Sequence, residues 1–202
     1  SPCLWIDYGC GIGDLVESIY EKNINVFGCE INEIAVDLCK KNNLPVYNNQ
    51  KNKSKLIQDI SNADIISLIS VIEHLEEPRE VLETISKHSK KNSYLVIEIP
   101  RAQSLSTILN LIKPDIVVRH MIPPEHVSLL SDEGLDNLLR GFGYAHESSW
   151  FYGSDINYLN TLSLELGNSR FIQNEDKSIN YFQSILDKAG LSDERLAIFK
   201  KL

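Results

Sequence analysis

The chain has 202 residues, of which 43% are hydrophobic and 24% charged, and 20 lysines and arginines face 28 aspartates and glutamates for a formal net charge of −8. This composition excludes a disordered chain and suits one domain over residues 1–202 with a substantial core. The acidic balance excludes nucleic acid as a partner, because a polyanion is repelled at long range and no block of basic residues offsets the repulsion.

No apolar run approaches the ~20 residues needed to cross a bilayer, so no membrane association is expected. The start, Ser1-Pro2-Cys3-Leu4-Trp5-Ile6, lacks the basic opening and long apolar stretch of a signal peptide. Four cysteines, at 3, 10, 29 and 39, form no CxxC pair, and each lies in or beside an apolar segment. They read as reduced, buried or half-buried thiols of a cytoplasmic protein, with no disulfide framework and no metal site.

Cys3 to Asp7 is short and apolar and runs into Gly9, Gly11 and Gly13, which reads as a buried strand followed by a tight turn. Asp14 to Tyr20 places Leu15, Val16 and Ile19 at helical spacing. Asn25 to Cys29 is a second strand ending at Glu30. Asn32 caps the next helix, with Ile34, Ala35, Leu38 and Cys39 expected toward the core. Leu44 to Tyr47 is a weak third strand, and the polar run Asn48 to Lys55 reads as a surface loop.

Asp64 to Val71 is nearly all apolar, the pattern of a strand buried on both faces in a parallel sheet. Pro78 opens a helix with Val81, Leu82 and Ile85 inside. Tyr94 to Ile99 is another buried strand, stopped by Pro100. Ser131 caps a helix carrying Leu135, Leu138, Leu139 and Phe142 on its inner face, closed by Gly141 and Gly143. Tyr144 to Phe151 reads as a strand and Ser154 to Leu166 as a helix. A further helix is expected to bury Ile179, Phe182, Ile185, Leu186 and Ala189, and Leu196 to Phe199 is a final strand. Alternating strands and helices imply an α/β, doubly wound, mostly parallel sheet with helices on both faces, whose ligand sits past the carboxyl ends of the strands.

The turn Asp7-Tyr8-Gly9-Cys10-Gly11-Ile12-Gly13 lets backbone approach a ligand closely. A dinucleotide fingerprint needs its third glycine at 14, where this chain has aspartate. Asp7 and Asp14 flank the turn and would repel a pyrophosphate, whereas an ammonium or sulfonium is attracted. Glu30, about twenty residues past the glycines, is placed to accept hydrogen bonds from a ribose diol. Adenosine with a cationic amino-acid tail satisfies all three features; the alternative is a bare tight turn with solvated acids.

With the glycine turn, Gly28-Cys29-Glu30, Ser70-Val71-Ile72-Glu73-His74-Leu75-Glu76-Glu77-Pro78 and Ile97-Glu98-Ile99-Pro100 in this order, the sequence resembles the class I S-adenosylmethionine-dependent methyltransferases of the bacterial small-molecule and sugar type. Pro124-Glu125-His126 through Ser131, Gly141-Phe142-Gly143-Tyr144 and the closing Leu191 to Lys201 extend the resemblance over nearly the whole chain. It implies a Rossmann-like, seven-stranded sheet with an antiparallel last strand. It implies S-adenosylmethionine as cofactor and S-adenosylhomocysteine as product. Asp7, Gly9, Gly11 and Gly13 would line the methionine end, Glu30 the ribose, Ile31 one adenine face, and Ser70 and Val71 the methionine part. Asn48 or Asn49 would meet the adenine amino group, with Asn49 taken as the contact. The family usually has helices before the first strand that cover the site, and by this resemblance the N-terminal cover is expected to be missing here.

Methyl transfer to a hydroxyl is helped by a general base, and histidine suits that role near neutral pH. His74, after the fourth strand, and His126, after the fifth, are the candidates; the alternative for each is a structural histidine. Arg101 to Pro124 is the most basic stretch of the chain, so Arg119 and His120 are candidates to grip a phosphate or carboxylate on the acceptor. Tyr152, with Trp150 and Phe151, is a candidate pocket wall. The cofactor half is expected at about 1–100, and the acceptor side at about 101–130 and 150–190. The expected function is methyl transfer to oxygen of a small metabolite or sugar, phosphorylated or not, by a protein with room for a homodimer. A non-catalytic S-adenosylmethionine-binding module and a nicotinamide-dependent oxidoreductase are the competing readings.

Overall fold

A computed structural model of the protein describes residues 3–120, 122, 124–167 and 176–202. Its first half is a run of strand–helix units: β1 (Leu4–Tyr8), α1 (Asp14–Tyr20), β2 (Asn25–Glu30), α2 (Glu33–Lys41), β3 (Val46–Asn48), α3 (Lys53–Asn62), β4 (Ile65–Ile69), α4 (Pro78–His88) and β5 (Tyr94–Pro100). A single 3-10 turn, Ile72–His74, stands between β4 and α4. The second half adds α5 (Leu105–Ile112), α6 (Asp132–Gly141), β6 (Tyr144–Tyr152), α7 (Asp155–Glu165), α8 (Asp176–Lys188) and β7 (Glu194–Lys201).

The seven strands form one sheet in the order β3-β2-β1-β4-β5-β7-β6. β1 pairs in parallel with β2 and β4, and β7 runs antiparallel between β5 and β6. The chain therefore winds outward in one direction from β1 to β3 and in the other from β4 onward. The carboxyl ends of β1 and β4 form the switch point at which such sheets bind ligands.

Alternation along the strands divides the core between the two faces. On one face Ile6, Ile66, Leu95 and Phe199 pack with Ile60 of α3, Leu82 and Ile85 of α4, and Leu135 and Leu139 of α6. On the other, Val26 and Val46 pack with Val16 and Ile19 of α1 and Val36 and Cys39 of α2. Asn32 Oδ1 accepts from the Ile34 and Ala35 amides, and Ser131 Oγ from the Gly134 amide, as expected of N-caps.

Several helix faces differ from expectation. In α2 the buried side chains are Val36 and Cys39, while Ile34 is 82% exposed and Leu38 is also exposed. Ile34 and Leu38 are four residues apart and share the outward stripe; only the 36/39 stripe meets β2 and β3. In α8 Phe182 and Ile185 are exposed, and the buried side chain is Gln183, which donates to Asp155 Oδ2 at 3.2 Å and Asp187 Oδ1 at 2.9 Å. The helix docks by hydrogen bonds where the sequence pattern indicated an apolar seam. Lys53, Ser54 and Lys55, expected in a surface loop, form the first turn of α3. Cys3 is exposed, Cys10 is half-buried, Cys29 and Cys39 are buried, and all four are free thiols. No helix among the described residues is long and apolar enough to cross a membrane.

Candidate active site

The turn after β1 is built around positive backbone angles. Gly9 has φ +74°, and a Cβ there would lie 2.7 Å from Val71 Cγ2. The Gly9 and Cys10 amides donate to the Cys29 carbonyl at 2.8 and 3.2 Å, which ties the turn to the end of β2. Gly13, at φ +92°, precedes α1, and a Cβ there would strike Leu44 Cδ1 at 2.7 Å. Only glycine meets both demands.

Across this turn lies an open cleft of about 230 Å³, lined by Tyr8, Gly9, Glu30, Ile31, Asn49, Ser70, Val71, His74 and Leu75. Gly9, Glu30, Ile31, Asn49, Ser70, Val71 and His74 were all singled out by sequence and come together here. Tyr8 and Leu75 were not; their signal was position alone, one residue before the first glycine and one after the histidine. Asp7, Gly11 and Gly13 do not line the cleft. Asp7 is buried behind it, Gly11 faces Glu30 with its amide, and Gly13 packs against Leu44.

The Glu30 carboxylate is fixed on three backbone donors. Oε2 accepts from the Gly11 amide at 3.0 Å, and Oε1 from Ile31 and Asn32 at 2.7 and 2.9 Å. Ile31 is 56% exposed, a large apolar face left open at the cleft. Asn48 is committed elsewhere, donating to the Ile31 carbonyl at 2.9 Å and accepting from the Lys51 amide. Asn49 is buried, and its Oδ1 has no hydrogen-bond partner. An orphaned acceptor of this kind calls for a donor from a ligand.

Asp7 accepts from Ser67 Oγ at 2.6 Å. Burial pushes its carboxyl up to about 6 against the opposing effect of that hydrogen bond, and the Glu30 charge adds to the rise. Ser70, at the end of β4, holds φ +51°, uncommon for a residue with a side chain. Its hydroxyl donates to Glu98 Oε1 at 3.0 Å, and the Tyr152 phenol donates to the other Glu98 oxygen. Burial, followed by the Glu98 contact, raises the Tyr152 phenol above its ordinary range. Of its neighbours, Trp150 is 52% exposed, and the Phe151 ring lies under the Arg101 guanidinium at 4.5 Å.

The segment after α5 is stitched onto the 3-10 turn after β4. The Val127 and Ser128 amides donate to the Glu73 carbonyl at 2.9 and 3.3 Å, and His74 Nδ1 donates to the Glu125 carbonyl at 2.8 Å. This brings His126 beside His74, with ring centroids 4.8 Å apart. His126 Nδ1 donates in turn to the His120 carbonyl at 2.8 Å. A carbonyl can only accept, so both rings carry a proton on Nδ1, and the tautomer compatible with this has its lone pair on Nε2. Burial, with His74 and His120 alongside, lowers the His126 imidazole below its ordinary value; its own hydrogen bond to the backbone and Glu125 oppose the shift.

Arg119 and His120 are placed otherwise than as free anion grips. Arg119 Nε donates to Asp193 Oδ2 at 2.6 Å and Nη2 to Glu194 Oε1 at 2.8 Å. His120 is buried, with Nε2 3.5 Å from Asp193 and 3.6 Å from Glu194. Burial pushes Glu194 up to about 8; Arg119 opposes this, while the Asp193, Glu98 and Glu73 charges reinforce it. The acceptor side is thus rich in carboxyl groups, and its described arginines, Arg101 and Arg119, are already paired. An anionic acceptor is poorly matched to it.

A family model described as a methyltransferase domain matches residues 2–149. The chain belongs to that methyltransferase-domain family. Its similarity to the mitochondrial ubiquinone biosynthesis O-methyltransferase of Schizosaccharomyces pombe is 27% identity over 120 residues, 56% of this chain and 44% of that protein. The chain therefore spans less than half the length of that curated relative. Among solved structures, a SAM-dependent methyltransferase from Archaeoglobus fulgidus superposes with a TM-score of 0.65 at 23% identity, covering 100% of this chain and 87% of the other. Magnesium protoporphyrin IX methyltransferase from Synechocystis PCC 6803, solved with bound SAH, gives 0.63 at 13% identity, covering 100% and 75%. At these identities the likeness is one of fold, and the seven-stranded sheet with its antiparallel β7 is the shared feature.

Proposed function

We propose that the protein is an S-adenosylmethionine-dependent methyltransferase acting on an oxygen of a small metabolite or sugar. Residues 1–100 form the cofactor half, and 101–130 with 150–190 supply the acceptor side. Met121, Pro123 and residues 168–175 of those segments lie outside the described residues. The observation that carries the reading is the cleft at the β1/β4 switch point. There the orphaned Asn49 oxygen, the exposed Ile31 face, the Glu30 carboxylate and the Gly9 backbone line one cleft, and these are the groups that adenine, ribose and an amino-acid tail would use. Four free thiols support a reducing, cytoplasmic setting.

When bound, the cofactor supplies an electrophilic methyl group on a sulfonium. Asn49 would accept from the adenine amino group, Ile31 would cover a ring face, and Glu30 would accept from the ribose hydroxyls. The carboxyl groups of Asp7 and Glu30 favour the cationic tail over a phosphate. The methyl group would be supplied to an acceptor oxygen, the electron pair of the broken carbon–sulfur bond staying with sulfur. The acceptor proton would pass to an imidazole Nε2; the reading is supported by His74 lining the cleft and by the His126 ring 4.8 Å from it. Most of the catalytic effect is alignment of the reacting groups in line.

Calorimetric titration with S-adenosylhomocysteine, followed by methyl transfer from labelled S-adenosylmethionine to a panel of phenols, sugars and amines, tests the reading. Binding with transfer to a hydroxyl is expected. Binding without transfer to any acceptor would make the protein a cofactor-binding module. Thermal stabilisation by NAD and not by S-adenosylhomocysteine would overturn the reading.

A further inference from the structure

Ser70 stands at the edge of the cleft in a conformation that needs outside support. Its φ is +51°, a left-handed value that is costly for a residue with a side chain and persists only where the surroundings impose it. It lines the cleft beside Val71, which sits against Gly9.

The support comes from one residue of β5. The register pairs Glu98 with Ile69, the residue before Ser70. The Ser70 amide donates to the Glu98 carbonyl at 3.3 Å, and the Ser70 hydroxyl to Glu98 Oε1 at 3.0 Å. Glu98 is only half-buried, so a second restraint is needed to keep its carboxylate turned toward Ser70 and away from water. Tyr152 supplies that restraint from the end of β6, its phenol donating to Oε2. Because β7 lies between β5 and β6, this hydrogen bond reaches across a strand and joins the acceptor wing to the cofactor half. Tyr152 is not among the residues that line the cleft.

We propose that Glu98 is a positioning residue that couples the two halves of the site: held by the Tyr152 phenol on one oxygen, it fixes the Ser70 peptide at the cofactor cleft with the other. Such coupling is reciprocal. A phenol seated on Glu98 firms the cleft, and a filled cleft holds the phenol in place on the acceptor side, where the Tyr152 ring is 37% exposed. The carboxylate acts through hydrogen-bond geometry, since both of its oxygens accept from neutral hydroxyls. A glutamine amide has the same shape; it can accept from Ser70 through its oxygen and donate to the phenol oxygen through its nitrogen. The inference rests on the methyl-transfer reading in one respect, that the cleft holds the cofactor. The chain pattern carries no trace of the bridge, because Ser70 and Glu98 are 28 residues apart and Glu98 and Tyr152 are 54 apart.

Calorimetric titration of a set of variants with S-adenosylhomocysteine tests the proposal. Tyr152→Phe, which deletes one oxygen atom outside the cleft, is expected to weaken binding about fivefold or more, and Glu98→Ala at least as much. Glu98→Gln is expected to bring the affinity back to within about twofold of the wild type. Tyr94→Phe, which removes an exposed phenol at the opposite end of β5, is expected to leave it unchanged. In a Ser70→Ala background, Tyr152→Phe is expected to have no further effect, because the hydroxyl through which it acts is gone. Thermal denaturation shows which variants are folded; a merely structural contact would lower melting temperatures without this pattern in Kd. If Tyr152→Phe does not fold, the Glu98→Ala and Glu98→Gln pair decides. Unchanged affinity in Tyr152→Phe, effects of Ser70→Ala and Tyr152→Phe that simply add, or a Glu98→Gln as weak as Glu98→Ala would each overturn the proposal and leave the methyl-transfer reading standing. A wild type that does not bind S-adenosylhomocysteine would overturn that reading, and the proposal with it.

Discussion

Ser67 Oγ donates to Asp7 Oδ1 at 2.6 Å from one parallel strand to the next, and Trp5 Nε1 donates to the same hydroxyl at 2.8 Å. Both Ser67 and Asp7 are buried, so a single serine holds the carboxyl group that lies behind the cleft. That carboxyl is pushed up to about 6 by its burial. Unfolded, it titrates near its ordinary 3.8. Between these values the folded chain keeps a proton that the unfolded chain has lost, so this residue's contribution to stability falls as pH rises from about 4 to 6 and is flat above. Asp7→Asn is expected to stabilise the ligand-free protein at pH 7.5 by on the order of 1–3 kcal/mol, with little effect at pH 4. Urea denaturation at the two pH values checks this; equal effects at both would refute it.

The glycine turn separates two kinds of glycine. Gly9→Ala must both hold φ +74° and displace Val71, whereas Gly11→Ala at φ +53° meets nothing within 4 Å. The left-handed conformation alone costs about 1–2 kcal/mol. Gly9→Ala is expected to lose more than that, and to weaken S-adenosylhomocysteine binding as Val71 is driven into the cleft; Gly11→Ala loses only the conformational part. Melting curves of the two variants, read side by side, decide the matter.

Glu30→Ala removes the acceptor for three amides and the proposed ribose contact together. A loss of about 1–3 kcal/mol in cofactor binding, or roughly fivefold to 150-fold in Kd, is expected. Calorimetry with S-adenosylhomocysteine measures it, and an unchanged Kd would remove Glu30 from the site.

Arg101 anchors the acceptor side. Its Nε and Nη2 reach Asp132, and Nη1 reaches the Gly190 and Ser192 carbonyls at 2.9 and 2.6 Å. Its replacement by alanine leaves the Gly190 and Ser192 carbonyls without this donor and Asp132 with only Arg195, at 3.8 Å, and is expected to cost about 3–5 kcal/mol. Lys51→Ala, which breaks an exposed pair with Glu33, is expected to cost less than about 1 kcal/mol. Chemical denaturation compares the two.

For His126, burial and the neighbouring His74 and His120 hold the imidazole below its ordinary value, so the neutral ring that a base requires persists to lower pH than in a free histidine. The rate of methyl transfer is expected to fall only on the acid side, at a pH below about 6.5. His126→Gln is expected to reduce kcat by about 10²–10⁴-fold if the ring is the base. An acid limb that survives in the variant would assign the proton to another group.

The sheet and its ligand edge were legible because they rest on local signals: a doubly buried apolar run such as Ile65–Ile69, a glycine turn after Tyr8, an acid at the end of β2. The helix faces were less so. Ile34 and Leu38 look like core residues at helical spacing, but the phase of α2 against β2 and β3 is set by tertiary packing, and the pattern cannot supply it. α3 and α5 were missed, the first because Lys53-Ser54-Lys55 begins it with a polar turn, the second because it lies inside the Arg101 to Pro124 stretch, which was read for its charge. Arg119 was chosen for its charge, and its partners Asp193 and Glu194 lie 74 and 75 residues further on. The meeting of His74 with His126 is likewise a product of the backbone stitching at Glu73, a long-range arrangement with no short-range signature.

β7 has a consequence for biosynthesis. Because it lies between β5 and β6, both strands keep an open edge until residues 194–201 have left the ribosome. The cofactor half can assemble while translation proceeds, but the opposite wing must wait with its ladders unfilled. This gives the nascent chain an interval of exposed edges in which neighbouring polypeptides compete for the same hydrogen bonds.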